Sequence, residues 1–129
     1  MLVAVALFGD EVSPRFGNTT ELMLAQVGSR TIQSLRRLAI PAGGGYQLIR
    51  LLSSLKPVVF ICGGIHRHWQ RMLEGEGITV VWGIIGRAED ALNSYIAGSL
   101  NSNQFVCPGR RSGKGRKRYR KGMQRGQIR

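Results

Sequence analysis

Leu2–Phe8 reads LVAVALF, seven apolar side chains with no polar interruption. Successive residues of a strand point to opposite faces, so such a run is stable only where both faces of a sheet are covered. The β-branched pair Val3 and Val5 favours the extended form. The run is short, lacks a basic start and meets Asp10-Glu11 at once, so it reads as a buried first strand and not as a leader or membrane span. Val58–Cys62 (VVFIC) repeats the signature. Two doubly buried strands need helices above and below them, which makes the chain α/β.

The remaining elements follow from turn residues and spacing. Gly9–Asn18 (GDEVSPRFGN) is dense in turn formers and is expected as an exposed loop. Glu21–Val27 reads as a strand, Gly28-Ser29 as a tight turn and Arg30–Leu38 as the return strand, although Ile32, Leu35 and Leu38 are also spaced for a helix. Pro41-Ala42-Gly43-Gly44-Gly45 breaks the pattern. Leu48, Ile49, Leu51, Leu52 and Leu55 then recur at helical spacing until Lys56-Pro57 ends the helix. Beyond the turn Gly63-Gly64-Ile65, a short helix from His66 to Glu74 is expected to carry Trp69, Met72 and Leu73 on its apolar side. Ile78–Trp82 gives another strand. Arg87–Ala97 gives the last helix, with Ala88, Ala91, Leu92, Tyr95 and Ile96 inward and Gly98 as its stop. The order is β-β-β-α-β-α-β-α. Its crossovers imply parallel pairing and its hairpin an antiparallel edge, hence a mixed sheet of about five strands with three helices on its faces.

Charge divides the chain in two. Residues 110–129 hold ten Lys or Arg and no acid, whereas the first 109 residues hold nine basic and seven acidic side chains, 9 − 7 = +2. Composition changes from Asn101 onward. The expectation is a domain over residues 1–100 and a basic, Gly-containing tail over 101–129, disordered when free because it buries too little to offset ordering entropy. Ten cations in twenty residues also suit salt-sensitive attachment to nucleic acid or to an acidic protein, which makes an interaction module the alternative function. Cys62 and Cys107 are too few for a disulfide framework and lack CxxC spacing, which suits a reducing, cytoplasmic setting.

Candidate chemistry gathers in three segments: Ser13-Pro14-Arg15-Phe16-Gly17-Asn18, Gly43-Gly44-Gly45 and Cys62-Gly63-Gly64-Ile65-His66-Arg67-His68. Loops leaving the carboxyl ends of parallel strands are where α/β sheets collect ligands. Glycines admit a ligand to the backbone, and amides at a helix start attract anions. Cys62 offers a thiolate, and His66 and His68 offer imidazoles, although the two His point about 200° apart on a helix and cannot chelate one ion together. Alternatively, Cys62 is a small core residue and the histidines are capping or surface groups. Two Cys and two His do not suffice for a structural zinc site. The signatures GxSxG, HExxH and GxxxxGK[ST] do not occur, and seven acids are few for a nuclease, so no enzyme is expected.

The opening LVAVALFGDEVSPRFGNTTELMLAQV, with its VSPxFG loop between two strands, resembles the dinitrogenase iron–molybdenum cofactor biosynthesis family of NifX- and NafY-like domains. KPVVFICGGIHRHWQRMLEGEGITVVWGIIGRAEDALNSYIAGSL resembles the family's second half, with a strand entering a GGI turn and a closing helix. The two blocks span residues 2–100 in the right order. This resemblance implies an RNase H-like α/β/α fold without nuclease function. It also implies noncovalent binding of an anionic metal–sulfur cluster, either an Fe-Mo-S precursor or a Mo-Cu sulfide, alongside protein partners in cofactor assembly. Site residues would then be Ser13, Arg15, Phe16, Gly17, Gly44, Gly45, Gly63, Gly64, Ile65 and Arg67, with Cys62, His66 and His68 toward the metal. Arg15 stands where many members have His, so that ligand role is either lost or moved to His66 or His68.

The composition break generates the first prediction. Deleting Arg110–Arg129 should leave the melting temperature within about 2 °C of the parent. A larger fall in a thermal melt would show that the tail packs on the domain.

Overall fold

The structure is a computed structural model and describes residues 1–41 and 44–100. The expectations for Gly43 and for Asn101–Arg129 lie outside the described residues. Strands β1 (Leu2–Phe8), β2 (Glu11–Val12), β3 (Glu21–Gly28) and β4 (Thr31–Ala39) come first. They are followed by α1 (Gly44–Leu55), β5 (Val59–Ile61), α2 (Arg67–Gly75), β6 (Thr79–Val81) and α3 (Ala88–Ile96). The sheet has the order β4-β3-β1-β5-β6, with β2 beside β1.

β1 is the central strand. It pairs antiparallel with β3 along one edge and parallel with β5 through Val3–Val59, Ala4–Phe60 and Val5–Ile61. β5 and β6 are also parallel, so the sheet is mixed, as the two crossovers and the hairpin require. Side-chain alternation divides the core into two layers. Val3, Val5, Met23, Ala25, Val59 and Ile61 pack with Ala88, Ala91 and Leu92 of α3. Ala4, Ala6, Leu22, Leu24, Phe60 and Val80 pack with Leu48, Ile49 and Leu52 of α1 and Leu73 of α2. Helices therefore lie on both faces, α3 on one and α1 with α2 on the other.

Four details depart from the pattern read in the sequence. β2 is a sixth strand within the expected loop, pairing Leu7 with Val12 and Phe8 with Glu11. That loop is also not wholly exposed, since Val12, Ser13 and Phe16 are buried. The β3–β4 turn sits at Ser29-Arg30, both with positive φ (53° and 64°), a left-handed pair whose twist matches a two-residue hairpin. Thr31 Oγ1 donates to the Gly28 carbonyl at 2.8 Å and closes it. The hairpin settles Thr31–Ala39 as a strand against its helical spacing. Met72 is 37% exposed instead of inward; on α2 only Leu73 is fully buried and Trp69 is half-buried.

Phe60 joins the core to the loop beyond β1. It is fully buried, and its ring meets that of Phe16 edge-on, centroids 6.0 Å apart. Truncation removes both the buried area and that contact. Phe60→Ala should cost about 3–5 kcal/mol in urea unfolding. A loss below 1 kcal/mol would mean that the site can collapse around the missing ring.

Candidate functional site

The loop after β1 and the turn after β5 are locked together. Phe16 N donates to the Gly64 carbonyl and Gly64 N donates to the Pro14 carbonyl, each at 2.8 Å, so Arg15 and Gly64 form a short parallel bridge. Such approach needs glycine, because a Cβ on Gly63 would collide with the Ser13 carbonyl. Ser13 is buried beneath, its N–H donating to Ala6 O and its hydroxyl to Arg15 O, both at 2.8 Å. The same loop is tied to the other face: Val12 N donates to Gly86 O (2.9 Å), and Ala88 N to Asp10 O (3.0 Å).

Above this lock lies an open hollow of ≈ 480 Å³, lined by Arg15, Phe16, Gly17, Asn18, Gly45, Gly64, Ile65, His66 and Trp69. Two helices begin there, α1 at Gly44-Gly45 and α2 after its N-cap His66. The His66 side chain makes no capping bond, and neither helix has an acid in its first turn. By contrast, α3 carries Glu89 and Asp90 in its first turn. First-turn amides lack intrahelical partners and carry partial positive charge. With Arg15 beside them and no carboxylate in the lining, the hollow attracts anions.

The candidate residues sort by depth. Arg15, Phe16, Gly17, Gly45, Gly64, Ile65 and His66 share the hollow. Ser13 and Gly63 lie under it and shape the lock instead of facing a ligand. Gly44, at φ +70°, starts α1, and Arg67 and His68 are exposed beside the hollow without lining it. His66 is the extended N-cap and not part of the helix, contrary to the expected helix start, and of the two histidines it alone lines the hollow.

Cys62 lies apart from the other candidates. It is fully buried in the layer with Phe60 and Leu73, and desolvation pushes its thiol up to about 12. Without a metal the neutral thiol is therefore the favoured form, and Cys62 packs as a small core residue outside the lining of the hollow. Among the described residues no three His, Cys, Asp or Glu side chains converge to hold a bare ion.

Asn18 and Trp69 complete the wall. The Trp69 indole lies near-parallel to Phe16 (6.0 Å, 27°), takes the edge of Tyr46 (4.9 Å, 87°) and neighbours His68 (5.2 Å). Helical spacing marks Trp69 as inward but cannot tell a core position from a pocket wall.

Residues 1–98 match the family model described as dinitrogenase iron-molybdenum cofactor. The fold is similar to the crystal structure of PH0822, at 23% identity and TM-score 0.74, covering 80% of this chain and 95% of that one. It is also similar to the mj0327 protein of Methanocaldococcus jannaschii, at 17% identity and TM-score 0.63, covering 78% and 92% of the respective chains. A Thermotoga protein, TM1290, gives 20% identity and TM-score 0.61, covering 84% and 98%. These likenesses establish the shared fold. No curated protein matches at a significant level.

The burial of Cys62 has a pH signature. Above the ordinary thiol range the unfolded chain loses a proton that the native chain keeps up to about 12. Stability in a Cys107→Ser background should therefore fall between pH 9 and 12 by about 1.4 kcal/mol per unit from this group. In the same variant the native thiol should resist a labelling reagent at pH 8 and react on denaturation. Rapid native labelling would show that the thiol is reached from solvent in the folded chain.

Proposed function

We propose that this chain, which belongs to the dinitrogenase iron-molybdenum cofactor family, binds a preassembled anionic metal–sulfur cluster in the hollow and carries it between protein partners during metallocofactor assembly. The observation that supports this reading is the convergence of Arg15 with two acid-free helix starts on a hollow without carboxylates. Thiometallate clusters, whether Fe-Mo-S precursors or Mo-Cu sulfides, are anions too large for a single-ion site. Hydrogen bonds from amides and a guanidinium hold such a cargo and still let it leave. Family and donor set both favour a carrier without catalysis.

His66 is the one imidazole in the lining and takes the part of direct ligand to an exposed metal of the cluster. Arg15 neutralises charge and donates hydrogen bonds. Arg67 and His68 act at longer range, as charge beside the rim. Gly17, Gly45, Gly64 and Ile65 keep the floor low enough for the cluster to reach backbone amides.

Reconstitution with tetrathiomolybdate plus copper or iron, followed by gel filtration, visible absorption and molybdenum and sulfide analysis, tests the proposal. The parent chain should retain a coloured species. Arg15→Ala should weaken retention about tenfold, the loss of one or two charge-assisted hydrogen bonds. His66→Ala should weaken it further, and His68→Ala and Cys62→Ala much less. Undiminished retention in a chain lacking both Arg15 and His66 would place the cargo elsewhere.

A further inference from the structure

Charge alone does not choose a cargo. Arg15 and the first-turn amides of α1 and α2 would serve phosphate, sulfate or molybdate as well as any sulfide-terminated anion. The rest of the lining is different in kind. Phe16, Ile65 and Trp69 add apolar lining to the same hollow. We infer that Trp69 sets the selectivity of this site, favouring sulfide-terminated anions over oxoanions of equal charge; the inference rests on the carrier reading above.

The physical basis is hydration and polarizability. An oxoanion is strongly hydrated and loses water bonds where it meets an indole, with nothing gained in return. A sulfide surface is larger, softer and weakly hydrated, and sulfur packs favourably against aromatic rings, often at the edge. The wall must also be rigid to discriminate. Trp69 is held against the near-parallel Phe16 ring and the edge of Tyr46. On a third side, a Cβ added at Gly45 would stand only 3.0 Å from Trp69 Cζ2, so the helix start is cut to fit the indole. The glycine that brings α1's amides to the hollow also admits the ring. One residue therefore serves both charge and selectivity.

Two measurements test this. In the parent chain, titration with tetrathiomolybdate alone should shift the Trp69 indole N–H resonance and leave that of Trp82, assigned through Trp82→Phe, in place. Competition between tetrathiomolybdate and molybdate should then show a preference for the sulfide that Trp69→Ala reduces about five- to tenfold, the range of a lost sulfur–aromatic contact. Trp69→Phe should keep most of it. Arg15→Ala should weaken both anions alike. Bound molybdenum with an unmoved Trp69 resonance, or an equal loss of both anions in Trp69→Ala, overturns the inference and leaves the carrier reading intact. A parent chain that takes up no tetrathiomolybdate overturns both.

Discussion

β1 cannot be left wet on either face, and that constraint organises the molecule. Five of its seven residues are buried, alternately toward α3 and toward α1 with α2. β5 runs parallel to it and β6 parallel to β5, the latter connection crossing over through α2. β1 and β5 then release their chains at the same edge. The loop carrying Arg15 and the turn carrying Gly64 meet there because topology leaves them nowhere else to go. The site is thus a by-product of how the core is closed.

What makes the edge a site is backbone, more than side chains. The Pro14–Gly64–Phe16 hydrogen bonds hold two loops in register as a strand pair would, but with space on one side. Two helices of the same layer then aim their starts into that space. α3, on the opposite face, carries its own carboxylates at its first turn. Its N-terminus is neutralised locally, while those of α1 and α2 have no acid in the first turn and open on one place.

Much of this was legible in the residues, and the failures have physical reasons. Continuous apolar runs announced β1 and β5, and glycine-bounded periodicity announced the three helices. Glu11–Val12 escaped because two residues are too few to show alternation. The hairpin turn fell one residue late because Ser29 and Arg30 adopt left-handed φ without the Asn-Gly that signals it. Sequence spacing brings residues of the three candidate segments to one hollow but carries no information on their depth. Nothing in the string CGGIH says that Cys62 ends below the sheet surface while His66 ends above it. Burial is a property of the neighbours, here Phe60 and Leu73, which arrive from distant positions. Trp69 shows the converse, a residue classed with the core that the fold leaves half-open to the hollow.

β4 is exposed along almost its whole length, yet it is the longest strand of the sheet. Its outer rim offers the backbone groups that recruit foreign strands, and Leu35 adds an apolar side chain at 45% exposure. Two features blunt it: adjacent arginines, Arg36 and Arg37, and an irregularity opposite Gln26/Val27 that interrupts the ladder. Arg37 is further tied to Asp10 and Glu21 at 2.8 and 3.4 Å, which keeps a cation fixed at the rim. Protection of that rim against foreign strands therefore rests on a few basic residues and one irregularity, where charge reversal or neutralisation would open a path to edge-to-edge aggregation.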